Sequence, residues 1–159
     1  TDFSQASVIT MYLLPDVNLA LRPKLLALKP GTRIVSHDWH MGDWQPDAEL
    51  RVAAPDKPLG LDKSSRVMLW TVPARIEGRW CGIGNDRAEL NLRQKYQQIE
   101  GDLRLANRST AVSGKIIGTQ FALASGLTAT IESDTLSFEP GGAPAGGTRW
   151  QKTTGKCSG

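Results

Sequence analysis

Two apolar runs near the start of the chain have the character of buried strands. SVITMYLL, residues 7–14, is continuously apolar and ends at Pro15, which is typical of a strand covered on both faces. TRIVSH, residues 32–37, is the second run. With helical spacing between them, residues 1–45 are predicted to form a strand–helix–strand unit of a parallel sheet.

The segment between these runs, PDVNLALRPKLLALKPG, has apolar residues at helical spacing. Asp16 or Asn18 can cap its start, and Gly31 follows its end. Because Pro23 cannot lie in a helix interior without a kink, the pattern predicts a short helical turn and then a second helix.

The remainder of the chain differs in composition and in the spacing of its apolar residues. Residues 46–65 are rich in Pro, Asp and Lys and are predicted to be a linker. Residues 66–154 alternate with a period of two, and IEGD at 99–102 indicates a turn or bulge. About eight short strands predict an antiparallel barrel or sandwich ending in a tail at 155–159, so the expected class is α+β.

Composition excludes some classes of protein. The 159 residues suffice for one domain or two small units, and no apolar run is as long as a membrane span. A net charge of +3, finely mixed in sign, does not indicate nucleic-acid binding. The start at Thr1, without Met or a signal-like segment, indicates a processed product, a fragment or a truncated chain.

The two cysteines, Cys81 and Cys157, match no zinc motif and make no disulfide framework. We expect free thiols and a reducing, cytoplasmic location, although two cysteines could still pair.

The N-terminal segment resembles class I S-adenosylmethionine-dependent methyltransferases, over their fourth strand, the following helix and the fifth strand. The likeness is to small bacterial members with T-x-Y-L-L-P, then L-R-P-K-L-L, K-P-G-T-R and S-H-D. Here these motifs are Thr10–Pro15, Leu21–Leu26, Lys29–Arg33 and Ser36–Asp38. The resemblance covers about residues 1–50, and the β-rich remainder resembles a C-terminal extension of some members.

By this resemblance, the cofactor binds in a part of the fold that precedes the matched segment. Neither Gly82-Ile-Gly84 nor GGAPAGG, at 141–147, leads into a helix that could present amides to a ligand. The resemblance therefore implies a C-terminal segment that contributes acceptor-pocket loops and a β domain. We expect it to bind no S-adenosylmethionine and to be inactive alone.

The stretch SHDWHMGDW, residues 36–44, follows a predicted strand, where ligands collect in parallel sheets. A histidine there could take a proton from an acceptor, and an aromatic ring could stack on it. The residues expected to act in catalysis are Tyr12, His37, Asp38 and His40, with Trp39 in substrate binding.

Other interpretations of this stretch stay open. Asp38 could cap a turn and His37 could bond a neighbouring strand. His37, Asp38, His40 and Asp43 carry donor atoms for a metal, but their spacing matches no known motif, and no metal site is predicted. A small hydrolase or lactonase using this loop is an alternative, although no G-x-S-x-G elbow occurs.

The β domain offers another alternative, a module that binds a small apolar or anionic ligand inside a barrel. Its expected substrate-binding residues are Trp80, Arg93 and Trp150. Core packing of the tryptophans and surface placement of the arginine are the plainer interpretations. Finally, a two-stranded parallel remnant would expose apolar faces and edges, so we expect a homodimer.

Overall fold

The computed structural model describes residues 2–58, 62–84, 88–144 and 147–157. The chain divides into two compact units, Thr1–Val72 and Pro73–Gly159. The first holds a helix and a four-stranded mixed sheet, and the second holds a closed eight-stranded antiparallel barrel. The predicted α+β class, with its strand–helix–strand start and its barrel, is confirmed.

The first unit begins with the predicted parallel pair. Strand β1 (Val8–Met11) lies parallel to β2 (Arg33–His37), and helix α1 (Pro15–Leu26) connects them. Pro15 suits the first helical position, because it lacks an N–H that the helix would leave unpaired there.

Helix α1 continues through Pro23, so the predicted break into two helices is wrong. Asn18 and Leu25, two helical turns apart, are both fully buried. Anchors on both sides of Pro23 therefore hold the helix in place despite the hydrogen bond that proline cannot make.

The stretch predicted as a linker, 46–65, contains strand β3 (Ala48–Ala53). Its sequence AELRVA alternates apolar and polar residues, but all six residues are exposed, and the Pro and Asp residues on either side of it led to the linker prediction. Strand β4 (Ser64–Thr71), predicted as the start of the β domain, instead pairs antiparallel with β2 and β3. The sheet order is β1-β2-β4-β3, and the first unit extends to Val72.

This sheet changes the argument for a dimer. Because β2 lies between β1 and β4, the expected two-stranded remnant is wrong, and Ile34 is fully buried. Val8, on the edge strand β1, is still 42% exposed. Homodimer formation stays a prediction, and it now rests on the exposed apolar side chain of Val8 on the edge strand β1.

The barrel is built from eight strands in the order β10-β11-β12-β5-β6-β7-β8-β9. They are β5 (Gly78–Gly82), β6 (Ala88–Lys95), β7 (Gln98–Leu105), β8 (Arg108–Ile117), β9 (Gln120–Leu123), β10 (Thr128–Glu132), β11 (Thr135–Phe138) and β12 (Arg149–Thr153). Alternate side chains such as Leu90 and Leu92 are buried in a shared core, as their period of two predicts.

The turn predicted at 99–102 lies within β7, and the chain reverses at Tyr96 and Gln97 instead. Tyr96 has a positive φ of 55°, which suits a tight hairpin turn. Gly101 is in the strand because a Cβ there would overlap the backbone carbonyl of Asn91 on β6. This glycine therefore marks a close approach of two strands.

Cys81 and Cys157 form a disulfide, so the expectation of free thiols is wrong. β5 pairs with β12, and the segment after β12 folds back with Arg79 Nη1 donating to the carbonyl of Gly155 at 2.9 Å. The Cα atoms of the two cysteines are thereby brought to 5.5 Å, the usual spacing for a disulfide. The disulfide removes the basis on which a reducing compartment was expected.

No helix among the described residues is long and apolar enough to cross a bilayer; α1 has 12 residues.

Candidate functional site

A pocket lies where strand ends of the first sheet converge. The carboxyl ends of the parallel strands β1 and β2 meet there, and β4, which is antiparallel to β2, starts there. The pocket has a volume of about 630 Å³. Its lining includes Tyr12, Leu14, Asp38, Trp39, Lys57 and Arg66.

The side chain of Asp38 connects the end of β2 to the start of β4 and to the segment between β3 and β4. Its Oδ1 accepts the backbone N–H of Arg66 at 2.8 Å, and its Oδ2 accepts from Lys57 Nζ at 2.7 Å. Lys57 Nζ also donates to the carbonyl of Ser64 at 2.9 Å. The hydrogen bond from Lys57 is the main reason why the pKa of Asp38 is lowered. The carboxylate is therefore ionised near neutral pH and both its oxygens are engaged.

The backbone of Asp38 is in the left-handed region, with φ of 63°. A residue with a side chain adopts this conformation at some cost, and Asp is among the more tolerant types. The strain ends β2 sharply and turns the chain into the pocket wall.

The two histidines have different surroundings. The His37 ring meets the Tyr12 ring edge-on, with centroids 4.6 Å apart. His37 Nδ1 is buried 3.8 Å from Asp38 Oδ2 and has no hydrogen-bond partner among the described residues. His40 Nε2 lies 2.9 Å from Arg66 Nη1, and because a guanidinium only donates, Nε2 accepts. His37 is thus the histidine whose ring nitrogens are not committed to a hydrogen bond.

A buried polar cluster fixes the Trp39 segment. Ser36 Oγ donates to the carbonyl of Trp39 at 2.8 Å. From α1, Asn18 Nδ2 donates to that carbonyl at 3.2 Å and to Ser36 Oγ at 3.3 Å. The Trp39 side chain is left 40% exposed at the pocket. The hydroxyl of Ser36 is buried and engaged, which argues against its use as a hydrolase nucleophile.

The second half of SHDWHMGDW has a structural role. Arg22 Nη1 donates to the carbonyl of Met41 at 2.8 Å and to Asp43 Oδ1 at 2.6 Å. Met41 and Trp44 are fully buried, and Trp70 Nε1 donates to the carbonyl of Trp44 at 2.8 Å. The motif therefore divides into a pocket-facing part and a buried turn.

No group of three or more His, Cys, Asp or Glu side chains is placed to hold a metal within the described ranges. Asp38 is paired with Lys57 and Asp43 with Arg22. The hydrolase alternative with a metal is not favoured.

Lys57 and Arg66, which complete the pocket, were not predicted from the sequence. Both lie in or beside the stretch predicted as a linker. The only signal was Asp-Lys occurring twice, at 56–57 and 62–63, among turn-forming residues. Nothing in the sequence indicated that Lys57 would reach Asp38.

The barrel residues expected to bind a ligand are not brought together around a cavity. Trp80 and Trp150 are fully buried, and their indole N–H groups donate to the carbonyls of Ile76 at 2.8 Å and Gly147 at 2.9 Å. Arg93 is exposed on the outer face of β6, opposite to the buried Leu92. These tryptophans pack the core, and a ligand site inside the barrel is not favoured.

The described residues offer no fitting cradle for S-adenosylmethionine. At the start of α1, Pro15 has no N–H, and the N–H groups of Val17 and Asn18 both lie 3.1 Å from the carbonyl of Leu14. Asp16 adds a negative charge there. Gly82 ends a barrel strand, and GGAPAGG includes residues 145 and 146, which lie outside the described ranges.

Comparisons with known proteins match the N-terminal part of the chain. Residues 1–48 match the model of the ANTKMT methyltransferase domain. A protein-lysine N-methyltransferase of Saccharolobus islandicus (strain REY15A) is 50% identical over 52 residues, which are 32% of this chain and 32% of that protein. The chain thus spans about a third of that curated relative.

Among solved structures, an RNA methyltransferase from Salinibacter ruber in complex with S-adenosyl-L-homocysteine has 44% sequence identity to this chain. The alignment covers 48% of this chain and 44% of that one, with a TM-score of 0.38. The family match and the identity to the Saccharolobus islandicus protein support a methyltransferase-like protein, as the strand and loop motifs predicted.

Proposed function

We propose that this chain supplies the acceptor side of an S-adenosylmethionine-dependent methyltransferase. The observation that carries the proposal is the pocket at the carboxyl ends of β1 and β2, which lies within and beside the segment that matches the methyltransferase domain. Ligands of open α/β sheets bind at such strand ends. The curated relative is named a protein-lysine N-methyltransferase, so the acceptor class that we propose is a lysine amine of a protein.

In this proposal, Tyr12 and Trp39 are the aromatic walls of the acceptor pocket. They are 74% and 40% exposed, so both rings have surface left for a bound group. His37 does not itself line the pocket, but its ring contacts that of Tyr12, which does. We assign it the role of accepting a proton from the acceptor, because Asp38 and His40 are already engaged by Lys57 and Arg66. Asp38 is a positioning residue that holds the two loops together.

The methyl donor supplies an electrophilic methyl group when it is bound. Because the described residues offer it no cradle, we assign none of them to the cofactor. We propose that the chain by itself binds no S-adenosylmethionine and transfers no methyl group.

Calorimetric titration of the purified chain with S-adenosylmethionine and S-adenosylhomocysteine tests this part of the proposal. We expect no saturable heat at high micromolar ligand. Saturable binding near one site per chain would contradict the proposed division and would assign a cofactor site to residues 1–159.

A homodimer and a cytoplasmic location are kept as proposals. Sedimentation at micromolar concentration tests the homodimer, and a monomer would contradict it.

The cytoplasmic location is tested by counting free thiols in the chain after it is isolated from cells under acid quench. A reducing compartment keeps Cys81 and Cys157 as thiols, so a disulfide at that point would contradict the proposal.

A further inference from the structure

One barrel strand is longer than the strand that covers its second edge. β8 pairs with β7 from Arg108 to Lys115, but β9 pairs only with the part from Gly114 to Ile117. After β9 the chain turns away, with the N–H of Gly126 donating to the carbonyl of Leu123 at 2.9 Å. The ladder of backbone hydrogen bonds is therefore open beside the first half of β8.

The backbone groups on this open edge follow from the hairpin geometry. A two-residue turn joins Leu105 to Arg108, which makes them a hydrogen-bonded pair. By alternation, the N–H and C=O groups of Ser109 and Ala111 point away from β7. Ser113 points the same way, and its carbonyl accepts the N–H of Ala124 at 2.8 Å. In the described ranges, no backbone group pairs with Ser109 or Ala111 on that side.

An apolar pocket lies against this edge. It has a volume of about 290 Å³, and its lining includes Leu103, Thr110, Val112, Leu123, Leu127 and Pro144. Thr110 and Val112 alternate with Ser109 and Ala111, so their side chains are on the pocket face of β8. The pocket is the space that a longer β9 would have filled.

Arg108 marks one end of the groove. Its side chain shares the face of Thr110 and Val112, because the three are two residues apart on one strand. It is exposed, and no carboxylate of a described residue pairs with it. The nearby Asp102 carboxylate lies 3.2 Å from Arg104 Nε.

We propose that the open edge of β8 binds an extended peptide as an added antiparallel strand. Ser109 and Ala111 would each donate and accept one backbone hydrogen bond. Alternate peptide side chains would face Val112, Thr110 and Arg108 in turn. The fitting peptide therefore has two apolar residues and one acidic residue at every second position.

A second copy of this chain fits the groove less well. If Ser109 faces Ala111 of the copy, the copy brings its Thr110 and Arg108 to the groove. That pairing leaves the apolar pocket without a large apolar side chain and gives Arg108 no carboxylate. The size and charge of the groove thus favour a peptide.

The test uses the capped peptide Thr-Ile-Thr-Leu-Thr-Glu-Thr and the ¹⁵N-labelled chain. We expect saturable shifts of the Ser109 and Ala111 amides. Ala111→Pro removes one outward N–H, which an edge position tolerates, and should weaken binding about tenfold. Ser109→Val keeps the outward backbone groups at a residue that does not line the pocket, and it should bind as the natural chain does.

If Ala111→Pro fails to fold, exchanging the charges of Arg108 and of the peptide provides a second test. Arg108→Glu should weaken binding of the Glu peptide, and replacing Glu by Lys in the peptide should restore it. No shifts at millimolar peptide, or equal binding by the natural chain, Ala111→Pro and Arg108→Glu, would overturn the proposal. Dimerisation that Ala111→Pro abolishes would assign the edge to a second copy and would also overturn it.

Discussion

Lys57 Nζ lies 2.7 Å from Asp38 Oδ2 and joins the segment between β3 and β4 to the end of β2. The lysine also reaches the Ser64 carbonyl, so one side chain ties together three parts of the pocket wall. The contact explains both the lowered pKa of Asp38 and the position of a residue that the sequence placed in a linker.

Removal of this lysine should raise the pKa of Asp38. In Lys57→Met the largest cause of the lowered value is lost, while the N–H of Arg66 still donates to Oδ1. The side-chain carboxyl shift of Asp38, followed by ¹³C NMR against pH, measures the change. Lys63→Met is the control, because Lys63 Nζ donates to the carbonyl of Lys57 and does not bond Asp38. Equal titration of Asp38 in all three chains would contradict the assignment.

Asn18 and Ser36 should be energetically coupled, because they share a buried hydrogen bond and both bond the Trp39 carbonyl. In a double-mutant cycle with Asn18→Ala and Ser36→Ala, we expect a coupling free energy of about 1 kcal/mol. Urea unfolding measures it. Additive effects of the two substitutions would show that the cluster does not act as a unit.

Gly101→Ala should strongly destabilise the barrel, by about 3 kcal/mol, because the added methyl group overlaps backbone that cannot move aside easily. Gly142→Ala is the matched control, since the nearest atom to a Cβ there is 3.6 Å away and belongs to a flexible leucine side chain. Thermal unfolding followed by circular dichroism compares the two. Similar melting temperatures for both variants would be the contrary result.

The disulfide should contribute substantially to the stability of the second unit. It closes a loop across a sequence separation of 76, for which the chain-entropy estimate is about 4.5 kcal/mol. Cys81→Ser with Cys157→Ser should lower the urea midpoint seen by the buried Trp80 and Trp150. Adding a reductant should then lower the urea midpoint of the natural chain and leave that of the double variant unchanged.

The fold was predictable where buried apolar residues recur at a regular spacing along the sequence. β1, α1, β2 and the alternating barrel strands were predicted from such periods. β3 was missed because Pro and Asp residues surround its short alternating run, and the disulfide was missed because pairing depends on the spatial proximity of β5 and the segment after β12. The end of β1 and the SHDWH loop were predictable as one site, because parallel strand ends meet. Lys57 and Arg66 were not, since their places depend on the β3–β4 hairpin.

The most direct test of the acceptor pocket uses Trp39 as the reporter. The other four tryptophans are fully buried, so iodide quenching of fluorescence reports on Trp39, and Trp39→Phe gives the background. We expect a lysine-containing peptide to protect Trp39 saturably, and Tyr12→Ala to weaken that protection. If the peptide does not protect Trp39 at about 1 mM, the upper end of weak specific binding, the pocket is not an acceptor site for lysine.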